Sequence, residues 1–273
     1  MNKIKLAVII SLSVVLSGCF ETRKNTEQLC ESNPALQCDQ LNVDDGQCRV
    51  PRTDLIWHHH ETLSNPSDDN KIKQYHLLAE YEKCMTLAAQ IQTLTPSERK
   101  SKRVTAVLHA QEEKVRIVSE LEASNAPQTL YFLWSQTGNE EARRQFLQME
   151  GSKMLDTAEM QYALATFYTN RDTEKTLYLL NRSLELSDGK NTNIDAVKTL
   201  ASLNLQEDKL ELAYVWQQVA AMFDVQTTHE SNHALLYGFT QDKYKRLDMV
   251  AEQVHEDLES GKFRANAITI PNM

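Results

Sequence analysis

The stretch that decides the fold is YALATFYTNRDTEKTLYLLNRSL, residues 162–184. It contains two helix-forming segments separated by Thr169-Asn170-Arg171-Asp172, a run of turn-forming residues. The same pattern returns after a shift of 36 residues, with Leu164-Ala165 matched by Leu200-Ala201, Asp172 by Asp208, Leu180 by Trp216, and Leu184 by Ala220. Self-similarity at a fixed spacing of this size predicts stacked helical hairpins.

These residues resemble tetratricopeptide-type repeats, especially the Sel-one-like variety. The match in the first helix of one unit consists of Tyr162, Leu164, Ala165 and Tyr168, and that in the second helix of the next consists of Ala213, Trp216 and Ala220. The resemblance implies packing roles, because a small residue lets two helices approach closely and an aromatic ring fills the groove between hairpins. Two departures stand out: alanine replaces the family's glycine, and the usual glycine-containing insertion is absent.

Two repeat units are clear, residues 157–187 and 193–223, and we expect a degenerate third from Leu235 to Leu258. The alternative is an amphipathic helical bundle whose periodicity arose by chance. We therefore predict an all-α protein with helical hairpins stacked as a short tetratricopeptide-like solenoid over residues 126–262. A C-terminal tail, residues 263–273, would follow it.

The N-terminus has the composition of an export signal. Lys3 and Lys5 precede an apolar run from Leu6 to Leu16, which is far shorter than the ~20 residues of a spanning helix and fits a secretory signal peptide. Leu16-Ser17-Gly18-Cys19 resembles a lipobox, the site at which bacterial lipoproteins are acylated and cleaved. We expect residues 1–18 to be removed and Cys19 to be acylated; an ordinary signal peptide with a chance cysteine is the alternative.

Acylation predicts stable membrane anchoring, because each buried methylene contributes ~0.8 kcal/mol and two or more chains hold firmly. Phe20 stands where an aspartate would favour inner-membrane retention in enteric-type bacteria. We therefore expect a lipid anchor in the outer membrane, facing the periplasm, with the inner membrane and surface exposure left open.

The remaining 255 residues are acidic: 27 basic and 38 acidic side chains give a net charge of −11. This charge argues against nucleic acid as a partner. Three of the six prolines lie before residue 70. We divide this part into an acylated cysteine with a polar tether (19–29), a loop-rich cysteine segment of turns and short helices (30–67) and an antiparallel helical pair (68–125), followed by the repeats.

Four further cysteines, Cys30, Cys38, Cys48 and Cys84, lie in the first third of the chain. An even number in an oxidising compartment suggests two disulfides, for which three pairings exist. We favour Cys30–Cys38 with Cys48–Cys84. A zinc site is the alternative, although the spacings of 8, 10 and 36 residues contain no Cys-x-x-Cys element.

The helical pair has clear local signals. Its first helix should run from Asp68 or Asp69 to about Leu94, with one face formed by Ile72, Tyr75, Leu78, Tyr81, Met85 and Ala88. Thr95-Pro96-Ser97-Glu98 is a capping box that starts the second helix, in which apolar residues recur at Val104, Leu108, Val115, Val118 and Leu121.

A basic patch occurs where this second helix starts, formed by Arg99, Lys100, Lys102 and Arg103. Two interpretations stay open: a solvated helix face, or a surface for anionic headgroups or an acidic partner.

Ligand-type side chains cluster only at Trp57-His58-His59-His60-Glu61. Imidazoles and a carboxylate suit zinc, copper or nickel, but adjacent residues do not all point at one ion. We predict an exposed polar loop beside a buried Trp57, with no metal and no cofactor. The chain has no Gly-x-Ser-x-Gly, no His-Glu-x-x-His and no phosphate-binding glycine loop, so we predict that it is not an enzyme.

The chain as a whole resembles a gammaproteobacterial lipoprotein family of unknown function. The resemblance rests on the lipobox, Asp45-Gly46-Gln47-Cys48-Arg49, the stretch from Arg52 to Trp57, and the unit from Tyr162 to Leu184. We expect a protein-interaction scaffold in the cell envelope whose partner is another envelope protein. The alternatives are a cell-wall-directed enzyme or carbohydrate-binding lipoprotein, and a metal-handling lipoprotein that uses residues 58–61.

Overall fold

Every regular element in the part of the chain that the structure describes is a helix, as the sequence predicts. The structure is a computed structural model that describes residues 25–91, 98–223 and 233–270. The chain divides into an N-terminal unit, Met1–Ala123, and a C-terminal unit, Ser124–Met273. In both units, helices that follow one another in sequence pack as pairs.

The N-terminal unit contains four α-helices in its described part. They are α1 (Thr26–Ser32), α2 (Arg49–Ser64), α3 (Asp68–Ala89) and α4 (Glu98–Leu121), with short 3-10 helices at Pro34–Leu36 and Cys38–Leu41. Helices α3 and α4 are antiparallel. Lys71 at the start of α3 forms an ion pair with Glu120 at the end of α4, and Arg103 near the start of α4 donates to the Ala88 carbonyl oxygen at the end of α3. Helix α2 packs on α3.

Polar caps define where these helices begin. The Asn25 side chain accepts a hydrogen bond from the Gln28 backbone N–H at 2.8 Å, and the Gln28 side chain accepts from the Asn25 N–H at 3.1 Å. At the start of α3 the Ser67 hydroxyl accepts a hydrogen bond from the Asn70 N–H at 3.3 Å. The predicted capping box at 95–98 lies outside the described residues except for Glu98, which begins α4.

The predicted apolar stripe of α4 is mostly on the outside of the pair. Val104, Leu108 and Val115 are 44%, 53% and 70% exposed, and Val118 is half-buried. Of the predicted stripe, Leu121 is buried, and the rest of the buried side consists of Arg103, Ala106, Ala110 and Ile117. Small alanine side chains allow α3 and α4 to approach closely, so the larger valines and leucine face outward.

Residues 49–64 form one continuous 16-residue helix, where we expected turns and short helices. Cys48 precedes this helix with a positive φ of 56°. The shorter elements lie before it, at residues 34–41.

The C-terminal unit consists of hairpins followed by a single long helix. The helices are α5 (Pro127–Thr137), α6 (Glu140–Gln148), α7 (Ala158–Tyr168), α8 (Thr173–Glu185), α9 (Ile194–Gln206), α10 (Leu210–Met222), α11 (His233–Leu236) and α12 (Gln241–Glu259). Helices α7 and α8 form the hairpin expected over 157–187, and α9 with α10 forms the one expected over 193–223. The pair of α5 and α6 precedes them.

Polar residues directly before these helices supply the caps, and one of them, Asp172, belongs to the predicted turn at 169–172. Side chains of Thr157, Asp172, Asn193 and Thr240 each accept a backbone hydrogen bond from the first turn of the helix that follows. These bonds satisfy donors that have no partner within the helix, so the hairpin boundaries are fixed locally.

Two expectations about the C-terminus are corrected. In place of a third hairpin, the short α11 is followed by the 19-residue α12, which packs on α10. The first residue of the predicted tail belongs to the core: Phe263 is 2% exposed, and the centre of its ring lies 5.7 Å from that of Trp216. The Ala265 N–H donates to Glu185 Oε1 at 3.0 Å.

Two glycines permit a close backbone contact at this end of the unit. Gly189 and Gly261 have φ values of +81° and +66°, and a Cβ on Gly189 would lie 2.2 Å from the Glu259 carbonyl oxygen. The loop before α9 therefore touches the end of α12 through backbone atoms, a contact that only glycine allows.

Candidate functional site

Most of the predicted repeat-packing residues lie in the core of the C-terminal unit. Those that are buried are Leu164, Ala165, Leu180, Leu200, Ala213, Trp216 and Ala220. Three are half-buried, namely Tyr162, Tyr168 and Ala201. The two tyrosines therefore have surface that the hairpins do not cover.

Tyr168 belongs to a small polar network beside α7. Its hydroxyl donates to Glu150 Oε2 at 2.7 Å, and Glu150 also pairs with Lys175 at 2.6 Å. The Lys175 ammonium lies 3.8 Å from the centre of the Tyr168 ring, a cation–π contact. Burial opposes the charge on Glu150, but the hydrogen bonds from Lys175 and Tyr168 outweigh it and keep the Glu150 pKa below its ordinary value. Tyr168 is thus held in place by its neighbours.

Tyr131 connects α5 to α7. Its ring contacts those of Trp134 and Phe146, with centres 5.7 and 5.9 Å away, and its hydroxyl is hydrogen-bonded to Thr166 of α7. Burial raises the pKa of Tyr131, and the negative charge of Glu159 raises it further. The ring is therefore anchored while the phenol stays neutral.

Tyr162 connects this group to α9. Burial raises its pKa, and the neighbouring Asp195 and Tyr131 act in the same direction. Asp195 in turn pairs with Lys198 one turn further along α9, at 2.5 Å. Three helices from three successive hairpins thus contribute to one surface.

We call this surface the tyrosine face: Tyr131 of α5, Glu159, Tyr162 and Thr166 of α7, and Asp195 and Lys198 of α9. Tyrosine provides a large apolar ring with a polar tip, a combination enriched at protein interfaces. Glu159 and the ion pair of Asp195 with Lys198 add charged groups near the rings.

One comparison with known proteins gives a match, to the family described as "Protein of unknown function (DUF2989)", over residues 16–218. The chain belongs to this family. No curated protein and no solved structure matches the chain.

The family match contains the whole tyrosine face and ends within α10. Helices α11 and α12 lie beyond it. The tyrosine face is therefore built from the part of the chain that defines the family.

The N-terminal unit contains both disulfides that we favour from the sequence. They are Cys30–Cys38 and Cys48–Cys84, with Cα atoms 5.9 and 5.8 Å apart. Cys19 lies outside the described residues. Among the helices that the structure describes, none has the length and apolar character needed to span a membrane.

A buried ion pair in this unit was missed at the sequence level. Arg103 Nε donates to Asp45 Oδ2 at 2.6 Å, and both residues are less than 10% exposed. The Arg103 guanidinium lowers the pKa of Asp45 to about 2, against the effect of burial. The sequence places Asp45 only in the loop-rich cysteine segment and Arg103 only in the basic patch, and their sequence separation of 58 hides the pairing.

A second buried arginine, Arg52, closes the same loop. It donates to the carbonyl oxygens of Asn42 at 2.9 Å and Asp45 at 2.8 Å. The Tyr81 hydroxyl donates to the Leu41 carbonyl at 2.6 Å, and burial raises the pKa of Tyr81 to about 12. Residues 41–47 are therefore held by charged and polar groups from α2, α3 and α4.

The histidine cluster lies on a helix, so the predicted loop is wrong. Residues 57–61 belong to α2, with His58 buried and Trp57 41% exposed. His58 Nε2 lies 2.9 Å from the Asn70 carbonyl oxygen and Nδ1 lies 3.2 Å from Glu61 Oε2. Helical geometry turns the adjacent imidazoles apart. Within the described ranges, no three His, Cys, Asp or Glu side chains converge as metal ligands.

Proposed function

We propose that this chain is a membrane-anchored lipoprotein of the cell envelope that binds a partner protein through the tyrosine face. The observation that carries the proposal is that Tyr131 and Tyr162, from two hairpins, are electrostatic neighbours, with Glu159 near the first and Asp195 near the second, and that Tyr131 is hydrogen-bonded to Thr166 of α7. Anchored aromatic rings with adjacent charges are typical of surfaces that bind proteins.

The repeat architecture supports the same interpretation. The paired helices α5 to α10 are consistent with tetratricopeptide-like units, in which the first helices of successive hairpins form one continuous surface. The tyrosine face uses α5, α7 and α9, the first helix of each pair. An extended or helical segment of another envelope protein would suit it.

The net charge of the C-terminal unit favours a cationic partner. Residues 124–273 contain 21 acidic and 14 basic side chains, so this unit has seven of the eleven net negative charges of the chain after residue 18. A cationic segment would gain from long-range attraction as well as from Glu159 and Asp195.

The proposed anchor is an acyl group on Cys19, placed in the outer membrane and facing the periplasm. Its support is the lipobox with Phe20 after the cysteine. Incorporation of a labelled fatty acid into the wild-type chain but not into a Cys19→Ser variant tests this part. An unlabelled wild-type chain would contradict it.

The binding proposal is tested by photo-crosslinking in intact cells. A crosslinking amino acid replaces Tyr162, and the matched control replaces Tyr178 of α8, a tyrosine that is 67% exposed. We expect one protein to be captured reproducibly from position 162 and not from 178, and less of it when Glu159→Gln and Asp195→Asn are added. Equal capture from both positions, or none, would refute the tyrosine face as a binding surface.

No observation among the described residues favours the cell-wall enzyme, the carbohydrate-binding or the metal-handling alternative over this one.

A further inference from the structure

Exposed apolar side chains gather at one end of the helical pair in the N-terminal unit. Leu87 near the end of α3 and Ile91 just after it are 60% and 49% exposed. Val104 in the first turns of α4 is 44% exposed, and Val50 at the start of α2 is 67% exposed. Isolated exposed apolar residues are ordinary, but a group from three helices indicates a contact surface.

One disulfide and two polar contacts hold these residues at the same end of the unit. The Cys48–Cys84 disulfide joins the start of α2 to the last turns of α3. Arg103 Nη1 donates to the Ala88 carbonyl oxygen at 2.6 Å, which holds the start of α4 beside the end of α3. The ion pair of Arg103 with Asp45 adds the loop before α2. The grouping is therefore a rigid feature of the unit.

Exposed cationic side chains occur at the same end of the unit. Arg49, Arg99, Lys100 and Lys102 are exposed at this end, and Lys102 also contacts Glu98 at 3.4 Å. Arg103, which the sequence placed in the same basic patch, is buried and neutralised by Asp45. We call the surface formed by Arg49, Val50, Leu87, Ile91, Arg99, Lys100, Lys102 and Val104 the basic-apolar end. It is a cationic area on a chain whose net charge after residue 18 is −11.

The distance to the anchor allows this end to reach a membrane. Helix α1 begins at Thr26, seven residues after Cys19, and seven extended residues span at most about 24 Å. The Trp57 indole N–H donates to Thr26 Oγ1 at 3.1 Å, so the chain enters beside α2. Val50 lies seven residues before Trp57, about 10 Å along the helix. The tether is therefore long enough for the basic-apolar end to touch the bilayer.

We propose that the basic-apolar end docks on the anionic phospholipid surface of the membrane that holds the anchor. The ammonium and guanidinium groups would lie among lipid phosphates, and the valine, leucine and isoleucine side chains at the headgroup boundary. The acidic remainder of the chain is repelled by the same surface. The biological setting of this contact rests on the anchor at Cys19 in the proposed function, although the contact itself does not require acylation.

The test uses the full mature chain with Cys19→Ser, exported so that both disulfides form, and measures its co-flotation with vesicles. One set contains phosphatidylglycerol with phosphatidylethanolamine, the other phosphatidylcholine alone. We expect binding to the anionic vesicles that falls as salt is raised. Because each cation near an anionic surface contributes about a fivefold gain in affinity, Arg99→Gln, Lys100→Gln and Lys102→Gln together should weaken binding on the order of a hundredfold.

A matched variant removes three exposed cations of the C-terminal unit, Arg144→Gln, Arg171→Gln and Lys190→Gln, so the net charge changes equally. It should bind like the parent chain. A second variant, Leu87→Ser with Ile91→Ser, should bind several-fold more weakly. The proposal would be overturned if both charge variants lost binding equally or if the chain bound both vesicle types equally. Absence of binding would also overturn it and would favour an acidic protein as the partner of this surface. Failure of fatty-acid labelling at Cys19 would instead count against the anchor.

Discussion

The two units are both helical, yet different interactions hold them. The N-terminal unit depends on two disulfides and on a loop, residues 41–47, that charged groups bind from several sides. The C-terminal unit has no cysteine and packs hairpins through leucines, alanines and aromatic rings. A unit whose connecting segments are short and irregular needs cross-links, whereas hairpins of matched helices bury enough apolar surface through their own repetition.

The largest expected effect is the loss of the buried ion pair. Asp45→Ala leaves Arg103 buried without a counter-charge, so we expect a loss of about 3–5 kcal/mol in the unfolding free energy of the N-terminal unit. Chemical denaturation followed by hydrogen exchange would assign the loss to this unit. Asp44→Ala, at an exposed neighbouring position, should change stability little. Equal stability of both variants would show that the pair contributes nothing.

Loss of the Cys48–Cys84 disulfide should have the second-largest effect on the unfolding free energy. The bridge closes a segment with a sequence separation of 36 residues, and the chain-entropy model gives a loss of about 3–4 kcal/mol when Cys48→Ser and Cys84→Ser are introduced. Hydrogen-exchange protection should fall in residues 25–91 and stay unchanged in 124–223. A similar fall in the C-terminal unit would contradict the separation of the two units.

A glycine provides the corresponding test in the C-terminal unit. Gly189→Ala combines a positive φ with a Cβ 2.2 Å from a backbone oxygen, and we expect a cost of about 2–4 kcal/mol. Gly151 has a similar φ of +82° but open space around it, so Gly151→Ala should cost only about 1–2 kcal/mol. Thermal unfolding of the two variants compares them directly, and equal melting temperatures would refute the close contact.

Acid should act mainly on the N-terminal unit. The folded pKa of Asp45 is lowered from 3.8 to about 2, so the folded state binds its proton less readily than the unfolded one. The resulting stabilisation, about 2 kcal/mol, is fully present above pH 4 and is lost as the pH falls toward 2. Denaturation midpoints across this range should fall less for Asp45→Asn than for the wild-type chain. If the denaturation midpoints of both chains fell equally with pH, Asp45 would not be the group responsible.

Much of the C-terminal unit could be predicted from sequence because its signals are local. The predicted turn at 169–172 ends on Asp172, which caps the helix that follows it, and the 36-residue shift locates both hairpins. The same reasoning failed beyond α10. The α12 helix shows apolar periodicity like a repeat, but periodicity alone does not tell one long helix from a short pair.

The candidate site was predicted only in part. Tyr162 was found through its place in the repeat, whereas Tyr131 was not, because α5 carries no recognisable repeat signature. Glu159 was not found either, because it is not one of the packing positions that the repeat pattern marks. In the N-terminal unit, Arg103 was grouped with its exposed neighbours although it faces the opposite way. One residue along a helix turns a side chain by about 100°, and only the packing of α4 on α3 decides which side is buried.

The sequence by itself determined where the two clear hairpins of the C-terminal unit lie, which residues repeat, and that the first third of the chain is rich in cysteine. These properties depend on groups within a few residues of one another, such as a cap and the N–H groups it binds. Tertiary structure decided that Arg103 meets Asp45, that Val104 and Leu108 face outward, and that Tyr131 of α5 is hydrogen-bonded to Thr166 of α7. Each of these depends on groups brought together from distant positions, whose contacts form only when the helices pack.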